Sequence, residues 1–232
     1  MRRLVLFLVF PAICLADSFD SNFYHNRYGL QDVYTKLVDN FGNGYSALEG
    51  TRNFREVLKG VLFRGGANNY YSKTDPRANE NPLPQEGLDN LCAEGFKTAV
   101  YLYSTNYKTD PSQTTCNSIR GANTLNYPQL TYSSQYRKIL EMIYAAIQDS
   151  SQGPIYVHCW NGWHASGFIS ALSLMQFCGV SGSDAVQYWH VDTDGNDTGT
   201  EHDALKKQIA AFVPYSDLMI SDDDQARICP SL

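Results

Sequence analysis

The chain has 232 residues, with 24 acidic side chains against 18 basic ones and a formal net charge of −6. That balance argues against nucleic acid or an anionic membrane surface as a partner, because both attract cationic proteins. The length and an apolar content of 43% suit one good-sized core, and no repeat or low-complexity linker divides the chain.

Arg2 and Arg3 precede an apolar run over residues 4–15, and Cys14-Leu15-Ala16 offers the small residues that a signal peptidase reads. Residues 1–16 are therefore read as a cleaved secretory signal, too short to span a membrane, and residues 17–232 as one domain. The expected address is secreted or periplasmic, with no membrane contact after cleavage. Loss of Arg2 and Arg3 makes the mature chain more acidic still. It keeps Cys92, Cys116, Cys159, Cys178 and Cys229, an odd number, so an oxidising compartment leaves at least one thiol unpaired. The spacing leaves the pairing itself open.

Residues 17–28 are polar and aromatic without a period and read as an extended arm. Val33, Leu37 and Phe41 have helical spacing, which predicts a helix over 31–41 stopped by the glycines at 42–44. Residues 53–55 read as a turn, 60–66 as a strand with a glycine-rich exit, and 68–84 as a long surface loop. A helix over 84–92 carries proline at its start, and residues 97–103 form a strand. A polar loop over 104–121 precedes a strand over 123–127 that runs into Pro128 and Gln129. From Ser134, a candidate N-cap, Tyr136, Ile139, Leu140, Ile143 and Ile147 share one helical face. The apolar run over 155–159 is a buried strand, and helices are expected over 165–178, 183–189 and 200–212, the last opened by Thr200 and Asp203 in the manner of a capping box. Strands alternating with helices imply an α/β fold. Its mostly parallel sheet has about four to five strands, with helices on both faces and ligands received at the carboxyl ends of the strands.

Residues 155–167 concentrate the chemistry. A strand ends at Cys159, a short loop with Gly162 follows, and a long apolar helix begins. Loop amides and a helix N-terminus that converge on one point hold an anion and favour the thiolate of a cysteine placed there. Val157-His158-Cys159, five residues, a basic residue, then Ser or Thr and Gly is the signature of the cysteine-dependent protein tyrosine and dual-specificity phosphatases. The chain resembles it at Val157, His158, Cys159, Gly162, Ser166 and Gly167, with Ala165 at the arginine position. The resemblance extends over about residues 53–212, including Asn53-Phe54-Arg55 and the strand ending in Arg64-Gly65.

The resemblance implies a dual-specificity-phosphatase-like fold and gives roles by position. Cys159 is the nucleophile, His158 braces the loop, and Ser166 bonds the thiolate and assists its departure. Residues 160–165, Trp160-Asn161-Gly162-Trp163-His164-Ala165, form the anion-binding loop. His164 is the ionisable group nearest the missing arginine, and alanine offers no donor in place of a bidentate guanidinium. The general acid of the family lies about thirty residues before the cysteine, where Gln129 stands and cannot supply a proton. The strand that usually carries an Asp and an Arg near its end has Tyr101 and Tyr103. The implied function is that of an exported pseudophosphatase or ligand-binding protein with little ordinary phosphatase activity. The alternative is an active atypical phosphoric monoester hydrolase, or other thiol chemistry, with Asp110, Asp192 or Asp194 as substitute acid. A phosphate-bearing or other anionic small ligand, or a protein, is the expected partner. Neither a cofactor nor a metal is called for.

If Cys159 is the reactive thiol, Cys92 with Cys116 and Cys178 with Cys229 is one of several pairings. Arg64 reads either as a clamp reaching the pocket or, with more weight, as a structural donor to nearby carbonyls. Trp160 and Trp163 read equally as stacking surfaces or core. Asp192-Thr193-Asp194-Gly195-Asn196-Asp197 has the oxygen density of a calcium loop, but Asp197 stands where such a loop needs glycine. A solvated turn is the expectation there. His190 and His202 lack ligand spacing, and Asn196-Asp197-Thr198 is a glycosylation sequon. The 16 tyrosines crowd residues 70–71, 101–107 and 127–136, facing a partner or packing beneath loops.

Overall fold

The computed structural model describes residues 22–68, 82–105, 107 and 110–231. The signal-peptide reading and the tyrosines at 70–71 lie outside these residues, as does most of the loop expected over 68–84. The elements in order are α1 (Asn22–Tyr28), β1 (Thr51–Leu58), β2 (Leu62–Ala67), α2 (Gln85–Ala93), β3 (Thr98–Tyr101), β4 (Gln113–Ser118), β5 (Gly121–Asn126), α3 (Tyr132–Gln148), β6 (Ile155–Cys159), α4 (His164–Cys178), α5 (Gly182–Asp192), α6 (Thr200–Ala210) and α7 (Asp222–Ile228).

Six strands form one sheet in the order β1-β2-β6-β3-β5-β4. The central pairs β2–β6, β6–β3 and β3–β5 are parallel, and the outer pairs β1–β2 and β5–β4 are antiparallel. The α/β sheet with helices on both faces is thus present, with one strand more than the upper expectation. Residues 53–55, expected as a turn, lie inside β1. Asn53 takes a positive φ of 53° there, and the ladder with β2 shifts register between Arg52 and Arg55. This bulge preserves the strand while bending it. The polar loop expected over 104–121 contains β4, whose half-exposed pattern is that of an edge strand.

Alternation along the strands separates two cores. Leu62, Val100, Ile155, Val157 and Cys159 face α3, α4, α5 and α6. Phe63, Ala99, Tyr101 and Tyr156 face α1 and α2 with Phe54 and Phe96. Strands covered on both sides read as continuous apolar runs, and β6 is buried at every residue. α4 is buried almost all round, from Ala165 to Phe177, and ends where Gly179 turns left-handed at φ 66°.

Two expectations over the first half fail for local reasons. Residues 22–28 are a helix, not an extended arm. Tyr24 and Tyr28 share a buried face, and Glu94 gathers that helix by accepting from Arg27 Nη2 (2.7 Å) and the Tyr28 hydroxyl (2.9 Å). Residues 31–41 are not helical. Asp32 accepts from the Tyr34 N–H (2.9 Å) and Asp39 from the N–H groups of Phe41 (2.7 Å) and Asn43 (2.9 Å). Such side-chain turns compete with helix hydrogen bonds. Leu37 and Val38 instead pair with Phe54 of β1. The later helices start slightly off their expected caps. α3 follows Thr131, α5 follows Ser181 and α6 follows Gly199, so the Thr200 box is not made.

Two disulfides join Cys92 to Cys116 and Cys178 to Cys229, and Cys159 is a buried free thiol. The first fastens α2 to the edge strand β4. The second fastens the end of α4 to the residue after α7. No helix among the described residues is long and apolar enough to cross a membrane.

Candidate functional site

Cys159 ends the central strand β6, between the parallel neighbours β2 and β3. The residue is 1% exposed, and its sulfur lies 3.5 Å from the Ser166 hydroxyl. Residues 160–163 turn the chain into α4. Gly162 makes the turn at φ 75°, and a Cβ there would come within 2.6 Å of the Gly65 carbonyl carbon and 2.7 Å of the Gly66 nitrogen. The loop therefore lies flat on the glycine-rich exit of β2, with Gly66 bridged to Asn161.

Five successive carbonyls of this loop are engaged from outside. Trp160 O accepts from the Ala67 N–H (3.0 Å) and Asn161 O from Asn53 Nδ2 (3.2 Å). Gly162 O and Trp163 O both accept from Arg64 Nη2, the latter at 3.1 Å, and His164 O accepts from Trp189 Nε1 (3.1 Å). The sole cis peptide among the described residues is Gly153-Pro154, so each loop peptide is trans and its N–H opposes its carbonyl. The inner side of the loop is consequently left to N–H groups and the N-terminus of α4, the arrangement that attracts anions.

Arg64 does not enter the inner side of the loop as a clamp. It is wholly buried behind the loop, ion-paired with Asp192 through Nη1 and donating through Nη2 to the loop carbonyls. Burial opposes its charge, but Asp192 and Tyr188 outweigh that and leave its pKa raised. Asp192 also pairs with Arg55 Nη1 (3.3 Å) and is buried at the end of α5; the expected turn follows it, exposed at residues 194–196 but with Asp197 buried. Asp194 accepts from Lys36 Nζ (2.8 Å) and from Trp163 Nε1 (3.0 Å), and Asp197 pairs with Lys206 (2.8 Å) and His190 (2.7 Å). Asp192 ties the end of α5 to β1 and β2, Asp194 ties the following turn to Lys36 and Trp163, and Asp197 ties it to α5 and α6. Among the described residues no cluster of metal-ligating side chains occurs.

His158 points to the opposite face of the sheet from Cys159. It is bonded to the Tyr127 hydroxyl (3.0 Å), stacked on Tyr127 and Tyr156, and contacts the Cys159 carbonyl through Nδ1 (3.3 Å). Burial lowers its pKa to about 3, so the ring is neutral. The side chain of His164, expected as the ionisable group nearest the missing arginine, points away from the loop. Its Nε2 bonds the Asn196 carbonyl and its ring stacks on His202 at 4.2 Å, which places both histidines at the junction with α6. Ala165 is fully buried in the apolar core. Gln129 donates through Nε2 to the Tyr103 carbonyl (2.7 Å), so its amide holds the end of β3. Trp160 and Trp163 are half-buried on the loop. Asp110 lies by Tyr107 and Tyr127.

The residue that sequence reasoning missed is Tyr103. It follows β3 and lies near Cys159; burial first, and then the proximity of Cys159, push its phenol pKa up. Tyr132, at the start of α3, stands edge-on to the Tyr103 ring at 6.1 Å and completes the aromatic cover. The signal was the pair Tyr101 and Tyr103 at a strand end beside the cysteine strand. The direction of the second ring depends on where β3 stops.

No family model and no curated protein sequence matches the chain. Solved structures similar to it include the core catalytic domain of the PP-IP phosphatase SIW14 from S. cerevisiae in complex with citrate. That likeness has 16% identity and a TM-score of 0.46 and covers 69% of this chain and 85% of that one. Tk-PTP in its active form is similar at 18% identity and a TM-score of 0.44, over 68% of this chain and 98% of that one. Likeness at this level carries no inference about activity.

Proposed function

We propose that the protein is an exported, phosphatase-like anion-binding protein. In this reading the loop over 160–165 receives a phosphate-bearing ligand, and the turnover machinery of a cysteine phosphatase is largely missing. The observation that carries the reading is the set of loop carbonyls turned outward and held by Ala67, Asn53, Arg64 and Trp189, which dedicates the inner face to N–H donors above Cys159.

The chemistry that remains is incomplete. Cys159 keeps its Ser166 partner, but Ala165 supplies no clamp for the equatorial oxygens. Losing such a transition-state donor costs on the order of 10²–10³ in rate. Gln129 holds a backbone carbonyl and has no proton to give, and absence of a general acid costs about 10²–10⁴. Asp192 and Asp194 are committed to arginine and lysine. Two disulfides beside one protected thiol fit export to an oxidising compartment.

Thermal unfolding with increasing inorganic phosphate tests the reading, because a ligand of the folded state stabilises it by RT ln(1 + [L]/Kd). The expected result is a rising Tm together with aryl phosphate hydrolysis no faster than in Cys159→Ser. No phosphate shift would remove the anion site. Brisk hydrolysis that requires Cys159 would replace this reading with that of an active atypical phosphatase.

A further inference from the structure

We propose that a second cavity, at the end of the sheet remote from Cys159, binds a small zwitterion with one ammonium and one carboxylate group, the size of a simple amino acid. The cavity is lined by His25 of α1, Asp32, Glu56 of β1, Lys59 just beyond it and Ser231, and holds about 120 Å³. At about 30 Å³ for each water in the liquid, that is room for a ligand of a few non-hydrogen atoms.

Its place follows from the sheet. Glu56 stands opposite Phe63 near the start of β2, and Leu62 lies beside Ile155 at the start of β6. The cavity is therefore at the amino ends of the parallel strands, whereas Cys159 ends β6, and the proposal stands apart from the anion-binding reading of the loop. Four separate stretches of chain are fixed around it. The Leu30 N–H donates to the His25 carbonyl (3.1 Å) and the Lys59 N–H to the Ile228 carbonyl (2.8 Å). Asp32 is held through Oδ1 by the Tyr34 N–H (2.9 Å) and the Thr35 hydroxyl (2.9 Å). The Cys178–Cys229 bridge ties down the C-terminal wall.

Glu56 is the buried member, 5% exposed. Its Oε1 accepts from the Gly60 N–H (2.8 Å), and its Oε2 meets Nδ1 of His25 at 3.0 Å. A carboxylate at Nδ1 keeps the imidazole proton there and leaves Nε2 as an acceptor. Among the described residues no protein group bonds His25 Nε2, Asp32 Oδ2 or Lys59 Nζ. Polar atoms of both signs thus line one cavity without internal partners. Burial raises the Glu56 pKa against the pull of Gly60, His25 and Lys59, so a further positive group beside it is favoured.

The two signs select the ligand class. An ammonium group has donors for His25 Nε2 and Asp32 Oδ2, but alone it is repelled by Lys59. A carboxylate pairs with Lys59, but alone it meets the carboxylates of Asp32 and Glu56. A molecule that carries both groups satisfies each of these residues through charge-assisted bonds.

The test follows the histidine ring signals of the full chain by NMR as glycine, methylammonium or acetate is added, with the His25 signal assigned by its loss in His25→Gln. Glycine is expected to shift that signal saturably. Methylammonium and acetate should each bind at least about tenfold more weakly, the size that loss of one bond to a charged group gives. Asp32→Asn keeps the Oδ1 acceptor for Tyr34 and Thr35, and Lys59→Gln removes an ammonium that bonds nothing internal, so neither disturbs the fold. Each variant should weaken glycine binding by about tenfold or more. No saturable shift with glycine, methylammonium or acetate binding as tightly as glycine, or full glycine affinity in either variant overturns the proposal.

Discussion

Gly162 and His158 show how single residues set the loop. Gly162 combines a left-handed φ of 75° with backbone atoms of Gly65 and Gly66 within 2.7 Å of where a Cβ would stand. Neither neighbour is a flexible side chain that moves aside. Gly162→Ala is expected to cost about 1–3 kcal/mol from backbone strain, and more from the contact, and to abolish the phosphate-dependent Tm shift. Calorimetry with and without phosphate checks both. His158 is held neutral by burial, its pKa depressed from 6.5 to about 3. The unfolded chain therefore takes up this proton first as pH falls. Its contribution to stability is full above about 6.5 and drains toward about 3, by up to about 1.4 kcal/mol per pH unit. Burial of His164 acts in the same direction. Urea unfolding between about pH 6.5 and 4 should show a shallower slope for His158→Asn than for the parent chain.

Among the elements, β2 and the end of α5 act together through Arg64 and Asp192. Asp192→Asn removes one partner of a buried ion pair and leaves a guanidinium inside the core, a change that costs about 3–5 kcal/mol. The same variant loosens the donor that holds Gly162 O and Trp163 O, so its phosphate shift should shrink as well. A variant that keeps both the denaturant midpoint and the phosphate shift would show that Arg64 braces nothing. At the far end of α4, the Cys178–Cys229 bridge ties α7 to the helix behind the loop across 51 residues. A double Cys178→Ala, Cys229→Ser variant is expected to lose about 2–4 kcal/mol while keeping phosphate binding, because the loop lies at the other end of α4. Denaturation in urea and the Tm shift with phosphate read these separately.

For the whole molecule, charge opposes the proposed anion binding. A chain of net charge −6 repels a phosphate dianion at long range, and the loop proposed to bind it offers amides rather than an arginine fork. Screening shortens the reach of that repulsion from about 30 Å at 0.01 M salt to about 8 Å at 0.15 M. Apparent phosphate affinity is therefore expected to rise with added potassium chloride over this range, which a titration followed by Tm would show. A steady fall with salt would instead point to a cationic pocket.

Much of the fold was legible because it rests on local rules. The apolar run over 155–159, the helix behind it and the face of Ile139, Leu140, Ile143 and Ile147 follow from periodicity, and a strand buried on both sides leaves little choice. What misled was competition between local signals. Asp32 and Asp39 took the backbone donors that a helix over 31–41 needed, and polar β4 looked like loop because an edge strand has one partner. Cys159, Ser166 and Gly162 were readable as a site because their order is contiguous in sequence. The rest depends on residues far apart in the chain. Arg64 meets Asp192 across 128 positions, His164 finds His202, and Tyr103 comes near Cys159 only once β3 and β6 lie side by side. The sequence by itself determined the strand, loop and helix around the cysteine, since backbone preference and burial act between near neighbours. The tertiary structure decided which side chains face the sulfur and which hold the loop from behind, because those directions follow from packing between strands and not from spacing along them.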